Sequence, residues 1–447
     1  MDTLKDNFNK IADEARREGA KVELLLSGGE NLTLGFSQRK LEKFESTQTQ
    51  MAGLRVVLGA SQGYAYTENL SWEALLRTYK EALSNAKTLK STEAQEIPLM
   101  KPQNIGKMSE LFNPEEVPME KKMEVAKLLE EVCLNQDPRV QSVPYSGYME
   151  GTGFKRILNS EGVDLEFKQN YYSGYSYPLA KEGENSKMDG DSFFARSFKD
   201  VHAESTAKES VRKSLSRLGA QKLKTGNYAV VIDREQFPMV LMMFAGYLSA
   251  KEVHEGKSLF KGKLNQKIAS DKFQLLDDPF EIRGTSMRPF DSEGAPSQKT
   301  VLFENGVLKN FLTNLEYAKK LNLPHTANAS RSPASAMDIG ATNLVVGKGT
   351  KTLQELLSSH EKVVYLTEFS AGLHSGYKES TGDISMPAEG FLYENGKMVS
   401  PVDQFVVSGN ILDLLRDIED LGNEYAKPGS SLISPHVLVK SMSFAGA

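Results

Sequence analysis

Residues 21–67 read KVELLLSGGENLTLGFSQRKLEKFESTQTQMAGLRVVLGASQGYAYT, and they decide the fold class. Lys21–Ser27 has the apolar density of a strand, and Gly28-Gly29 supplies a turn after it. Strand-like pieces follow at Leu32–Phe36, Leu41–Thr49, Leu54–Leu58 and Tyr64–Thr67. A helix stands on each side. Upstream, Leu4, Phe8, Ile11 and Ala15 recur at helical spacing and stop before Gly19. Downstream, Ser71 is a suitable N-cap for a helix that aligns Trp72, Leu75, Leu76, Tyr79, Leu83 and Ala86. Helix, several antiparallel strands, helix is an α+β layering, unlike the strict alternation of a doubly wound sheet.

Outward from this core, the proline-bearing stretch 91–118 has little periodicity and reads as a surface excursion or linker. The spacing of Met119, Met123, Ala126, Leu129 and Val132 predicts a helix over Met119–Cys133. β-like stretches come next at Val140–Glu150, Gly153–Asn159 and Val163–Tyr177. The last contains YYSGYSYP, aromatic on alternate positions: a half-buried strand or a peptide-facing surface. A helix from about Val201 to Leu218 closes this half, and Gly219–Gly226 looks like a joint. The remainder opens with a strand, Asn227–Ile232, and an apolar helix, Pro238–Ala250. Short β pieces then dominate, at Thr300–Phe303, Val307–Leu312, Thr342–Val346, Val363–Phe369, Gly390–Tyr393, Gln404–Ser408 and Val437–Met442. Asn305-Gly306 and Asn395-Gly396 between apolar runs are strong hairpin signals. The expectation is an α+β N-terminal domain over 1–220, with antiparallel strands flanked by helices, and a mainly antiparallel β domain with a few helices over 221–447.

Composition narrows the function classes. The chain has 447 residues, 39 % hydrophobic and 25 % charged, with a formal net charge of -5. Acidic and basic residues interleave, with no basic block to neutralise a phosphate backbone, so no direct nucleic-acid contact is expected. The longest nearly continuous apolar run, Phe237–Leu248, falls short of the roughly 18–20 residues that span a bilayer. The polar, mixed-charge start MDTLKDNFNK is unlike a secretory signal. The expectation is a cytoplasmic protein without membrane contact. A single cysteine, Cys133, excludes an intrachain disulfide and reads as a small buried hydrophobe.

Several motifs invite chemistry. A zincin helix needs two histidines on one face with a glutamate beside them. His254-Glu255 is the one suggestive pair, but Ser258 and Leu259 stand where the second histidine belongs. Gly59-Ala60-Ser61-Gln62-Gly63 matches a nucleophile elbow literally. That motif needs a helix after the serine, whereas Tyr64–Thr67 reads as another strand. Gly256-Lys257-Ser258 ends like a phosphate loop, yet Lys251 occupies the place of its first glycine. The densest constellation is GTSMRPFDSEG over 284–294, which sets Arg288, Asp291 and Glu293 within six residues. Such a loop either holds itself together by local ion pairs and turn hydrogen bonds or contacts a substrate.

The continuation GTSMRPFDSEGAPSQKTVLFENGVLKNFLTNLEYAKKLN resembles the central signature of the TldD/PmbA family. GLRVVLGASQGYAYTENLS, TGDISMPAEGFLYENGKMVSPV and SGNILDLLRDIEDLGNE are similar to further family stretches, in family order, across nearly the whole chain. The resemblance implies paired related subunits. TldD-type chains bind zinc through an HExxxH helix and a late cysteine and cleave peptides. The label modulator of DNA gyrase, also attached to the family, describes a physiological effect and not DNA contact. On this chain the zinc helix would fall on Pro238–Leu248, with the lost ligand positions near Met243, Phe244 and Leu248. No cysteine lies in the C-terminal half.

These absences match the PmbA/TldE type of subunit. What the resemblance implies is a non-catalytic chain with no cofactor of its own and no catalytic residue. Zinc would reside in a TldD-type partner within a heterodimer, and homodimers could form when this type is isolated. Arg288, Asp291, Glu293 and Asn410 are the candidates for contacting an extended peptide or the partner. Two rivals stand beside this reading: a stand-alone hydrolase using Ser61 or a discontinuous metal site, and a binding adaptor without a peptidase partner.

Overall fold

The structure is a computed structural model that describes residues 2–88, 96–97, 108–370, 372 and 376–446. Most of the 91–118 excursion, and His374, lie outside these residues.

Helix α1 (Thr3–Arg17) starts where the Asp2 side chain accepts the Lys5 N–H, and it buries Phe8, Ile11, Ala12 and Ala15. It leads into β1 (Lys21–Ser37), which hairpins onto β2 (Lys40–Leu58), followed by β3 (Ser61–Thr67). The expected turn at Gly28-Gly29 does not exist. Both glycines sit mid-strand, where a Cβ would come within 2.4 Å of the Thr49 carbonyl oxygen or 2.1 Å of that of Thr152. They serve close packing of neighbouring backbones instead of a change of direction. The turn falls at Gln38-Arg39, both with positive φ, as a two-residue hairpin loop requires.

Helix α2 (Trp72–Thr88) packs with α1 over Val22, Leu24, Leu26, Leu54 and Val56. Helix α3 (Met119–Gln136) precedes the long strands β4 (Val140–Asn159) and β5 (Asp164–Glu182). Two short strands, β6 (Asn185–Met188) and β7 (Asp191–Ala195), both pair with β5, and helix α4 (Ala203–Ser216) closes the half. The sheet runs β3-β2-β1-β4-β5-β6, with β7 also on β5, antiparallel throughout. Even-numbered residues of β1 face the helices: Val22, Leu24 and Leu26 meet α1 and α2, Leu32 and Leu34 meet α3. Strand alternation sends Glu23 and Leu25 to the opposite face, where Leu25 packs with Phe290 of the C-terminal half.

In that half, five strands close on themselves: Gly226–Ile232, Lys362–Phe369, Asp383–Glu394, Lys397–Asn410 and Pro435–Ala445. Closure removes the sheet edges, and only the pair Gly226–Ile232 with Lys362–Phe369 is parallel. Asn305-Gly306 and Asn395-Gly396 form the expected hairpin turns, all four residues having positive φ. Helix α5 (Phe237–Ala245) is shorter than the pattern predicts. A 3-10 turn at Gly246–Leu248 follows, and Ser249 is extended before a short helix, Ala250–His254. The Leu312 N–H donates to the Leu248 carbonyl at 2.8 Å, and the Ala250 N–H to the Leu312 carbonyl at 2.9 Å. This bridge to a neighbouring segment draws the chain out of the helix at Gly246, a weak helix former. The core beneath α5 contains Leu241, Phe244, Tyr247, Phe260, Phe273 and Phe303 at full or near-full burial, each contributing about 1.5–3 kcal/mol relative to exposure. No helix among the described residues is long and apolar enough to cross a membrane.

Candidate functional site

Two polar regions lie where the halves meet. The first is a buried charged layer between the odd-numbered face of β1 and the loop 284–294. Phe290 of that loop makes an edge-to-face contact with Phe167 at 5.3 Å, which fixes its position. Behind it, Asp291 has no exposed surface. One oxygen accepts the Glu293 and Ala295 N–H groups, both at 2.9 Å, and the other accepts that of Ala329 at 3.0 Å. Burial, and then the Glu293 carboxylate, push the Asp291 carboxyl upward. Glu293 accepts the Leu315 N–H at 2.9 Å, and His325 stands 3.8 Å from the same oxygen. Arg288 reaches the Ala327 carbonyl at 3.4 Å.

Across the junction, Arg331 pairs with Glu23 at 2.8 Å, both side chains fully buried. Lys155 donates to the Ser292 hydroxyl at 2.8 Å. Burial, with Arg288 and Arg331 nearby, pulls the Lys155 ammonium down to about 8. Asp291 and Glu293 therefore hold backbone in place inside the protein. Asn410 is elsewhere, capping the helix Ile411–Arg416: it accepts the Leu412 N–H and donates to Thr381 and Asp383.

The second region is an open cleft of about 870 Å³ between β6–β7 and α4 on one side and the barrel on the other. Pro238 and Met239, at the start of α5, form part of its lining, with Tyr177, Met188 and Met398 as apolar wall. Its charges neutralise one another. Lys213 bridges Asp191 and Glu235 at 3.1 and 2.7 Å, and Arg217 reaches Asp189 and Glu368, each at 2.6 Å. Burial pulls the Lys213 ammonium down, but the Glu235 and Asp191 carboxylates outweigh it and hold its pKa above the ordinary lysine value. Tyr365 donates to Asp233, which also accepts the Glu235 N–H.

A second hollow of about 390 Å³ shares Ser192 and Gly429 with this cleft and continues it along β5 and β7. Its wall is the YYSGYSYP segment. Alternate residues Tyr172, Gly174 and Ser176 are buried, while Tyr171, Ser173 and Tyr175 are half-buried on the other face. Tyr171 stacks on Phe194 at 6.2 Å. The segment is thus a half-buried strand, with its less buried face turned to the hollow. Among the described strands β7 pairs only with β5, and no other strand lies along its outer edge. Nothing in the sequence singles out Asp189, Arg217, Arg283 or Gly429, which reach this cleft from separate loops and helices.

The chemistry of α5 bears on zinc. The segment FPMVLMMFA-GYL contains no imidazole, carboxylate or thiolate. Met243, Phe244 and Leu248 are all buried in the core of the C-terminal half, and the cleft-facing residues are Pro238 and Met239. Among the described residues, one group of His, Asp and Glu is tight enough to grip an ion: Asp291, Glu293 and His325. Its carboxylates already accept backbone N–H groups, and the field of the Arg288 guanidinium acts on Asp291. An ion there would compete with those bonds beside a fixed positive charge, and the buried His325 Nε2 of this group has no hydrogen-bond partner. The α5 segment offers zinc no ligand at all.

The serine of the elbow-like motif and the single cysteine also resolve. Ser61 opens strand β3, and no helix follows until Trp72, so the geometry of a nucleophile elbow is not built here. Cys133 is buried against the Ser176 hydroxyl and the Leu129 carbonyl, and burial pushes its thiol up to about 11, the reverse of an activated nucleophile.

Comparison with known proteins accords with this architecture. Three family models match in order: PmbA/TldA metallopeptidase domain 1 over residues 22–86, the central domain over 112–218 and the C-terminal domain over 225–446. The metalloprotease PmbA of Escherichia coli is 24 % identical over 445 residues, covering 96 % of this chain and 93 % of the relative. A putative modulator of a DNA gyrase from Thermotoga maritima superposes with a TM-score of 0.87 at 27 % identity, covering 99 % of this chain and 100 % of its own. TldE from Thermococcus kodakarensis shares the fold, with a TM-score of 0.87 at 18 % identity over 98 % of this chain and 100 % of its own. This chain belongs to the PmbA/TldD metallopeptidase family.

Proposed function

We propose that this chain is the metal-free, PmbA/TldE-like subunit of a TldD–TldE-type peptidase and supplies one wall of the chamber in which a zinc-bearing TldD-type partner cuts extended peptides. The observation that carries the reading is α5. Where the family resemblance puts metal ligands, this helix has apolar side chains locked in the core or, at the cleft, Pro238 and Met239. The groove supports the substrate class. An aromatic wall and, at β7, a strand edge without a neighbour among the described strands suit a peptide held by main-chain hydrogen bonds, with few demands on its sequence. The partner would be cytoplasmic, as this chain is proposed to be, and no nucleic acid is involved.

The test separates the subunits. The isolated chain should bind no stoichiometric zinc and leave an unfolded casein-like peptide intact, and addition of a TldD-type chain should produce chelator-sensitive cleavage. Ser61→Ala should change neither result. Stoichiometric zinc in the isolated chain, or hydrolysis by it alone, would sink the proposal. A stable, inactive chain that never associates with a TldD-type subunit would favour an adaptor.

A further inference from the structure

The cations around the two hollows are matched with carboxylates, except one. Those lining the cleft of about 870 Å³ are Arg212, Lys213, Arg217, Arg234, Arg283 and Lys427. Each stands in an ion pair with an aspartate or glutamate. The hollow of about 390 Å³ has a single cation in its wall, the half-buried Arg196. Its hydrogen bonds go to the carbonyl oxygens of Asn170, at 3.2 Å, and Gly284, at 3.3 Å. Among the described residues no carboxylate pairs with it, and its buried Nε has no hydrogen-bond partner. Burial outweighs the field of the Glu110 carboxylate and lowers the pKa of the guanidinium. Two carbonyl bonds engage two of the five N–H groups and leave the charge unanswered. A neutral amide side chain could make the same two bonds.

The place of this charge says what it meets. Arg196 is the first residue beyond β7, and in the β5–β7 register Ser173 faces Phe194 and Tyr175 faces Ser192. Tyr171 stacks on Phe194, and the guanidinium carbon lies over the same Phe194 ring, 5.3 Å from its centre. The hollow is therefore an aromatic surface with a guanidinium where β7 stops. Stacking on a ring orients the guanidinium plane, and its planar fork matches a carboxylate through two parallel hydrogen bonds. With one cation in its wall, the hollow matches a single negative charge.

We infer that the hollow along β5 and β7 binds a peptide by a carboxylate, with Arg196 as the residue that recognises it and Tyr171 and Phe194 receiving the apolar part beside it. This rests on the reading of the groove as a peptide surface and deepens it. The preferred peptides carry a carboxylate at this point, either the C-terminal one or that of an aspartate or glutamate side chain. A carboxylate here supplies the counter-charge that the protein itself withholds, and it does so in a partly desolvated place where a charge-assisted hydrogen bond is strong.

Calorimetric titration of the full chain with N-acetylated, extended and otherwise uncharged peptides tests this. One peptide ends in phenylalanine as the free acid, the second is its amide, and the third is the amide with one internal glutamate. The free acid or the glutamate peptide should bind about tenfold to a hundredfold more tightly than the plain amide. Which of the two does so tells a chain terminus from an acidic side chain. Arg196→Gln should erase the preference, and Arg196→Lys should keep part of it, since lysine keeps the charge without the fork. The comparison of peptides is made on the parent chain, so it holds even where a variant fails to fold. Equal binding of the three peptides would overturn the inference and leave the groove a peptide surface. A preference that survives Arg196→Gln in a folded chain would overturn it in the same way. Absence of binding by all three would overturn the inference and the peptide surface together. The zinc-free reading is judged separately, by metal content.

Discussion

The charged layer behind loop 284–294 and the groove along β5–β7 sit on opposite terms with water. The layer holds Glu23, Asp291, Glu293 and Arg331 almost wholly buried, with acceptor oxygens on backbone N–H groups or opposing charge. The groove presents half-buried Tyr171 and Tyr175, exposed Tyr177, and an unpaired strand edge. Residue types that look reactive are thus committed to holding the two halves of the chain together, and plain aromatic surface is what remains exposed in the groove. Buried charge is expensive unless paired, so a junction that accepts it acquires specificity of docking. The groove shows no such commitment on its half-buried aromatic face.

Breaking the layer should give the largest effect. Arg331→Met leaves Glu23 as an unpaired carboxylate in the interior and should cost about 3–5 kcal/mol of stability, read as a fall in the unfolding midpoint. The pair is not fully satisfied, because one Glu23 oxygen and two Arg331 nitrogens have no partner. The double variant E23L/R331M should accordingly recover most of the loss. A single variant as stable as the parent would show that the junction does not rest on this pair.

A smaller, pH-dependent effect distinguishes the barrel's side of the cleft. His436 is buried beside Tyr365, and its Nδ1 accepts the Arg234 N–H at 3.2 Å, so its proton sits on Nε2. Burial, with Arg234 nearby, pulls its pKa down to about 4. The folded value lies below the unfolded one, so the group's contribution is whole above about pH 6.5 and is lost as pH falls towards 4, where the unfolded chain takes a proton the folded chain refuses. The loss over that window is about 3 kcal/mol, and unfolding curves of His436→Gln should lack it while the parent shows it.

How much of this the residues announced follows from range. Local signals were legible: the helical spacing of α1 and α2, the Asn-Gly turns, and the alternation of YYSGYSYP all act within a few residues. Gly28-Gly29 misled because a glycine pair serves a turn or a close backbone approach equally well, and the choice rests with Thr49 and Thr152, distant in sequence. The break after Ala245 depends in the same way on a bridge to Leu312. At the candidate site, the density of charge over 284–294 was visible, but its burial is set by β1 and by Arg331. The cleft was not legible at all, since Asp189 and Arg217, distant in sequence, meet Glu368 and Gly429 only after the two halves dock.

The groove supplies the sharpest form of the contrast, because there stability and binding should separate. Tyr171 and Tyr175 lie on the solvent-side face of β5, and shortening them leaves Tyr172 and Leu129 in place beneath. Truncation forfeits the stacking of Tyr171 on Phe194 and its hydrogen bond to Asn31, and should cost about 1–2 kcal/mol, less than breaking the buried layer. A peptide lying along β7 would lose flat aromatic area, so the double variant Y171A/Y175A, assembled with a TldD-type subunit, should raise the KM for an extended peptide about fivefold to tenfold, an aromatic contact being worth about 0.5–1.5 kcal/mol. On the proposed function the kcat should hold, because the reacting bond would lie in the partner's metal centre and the tyrosines would act only on binding. A fall in kcat at constant KM would move the peptide off this wall and leave β7 as an ordinary solvent-facing edge.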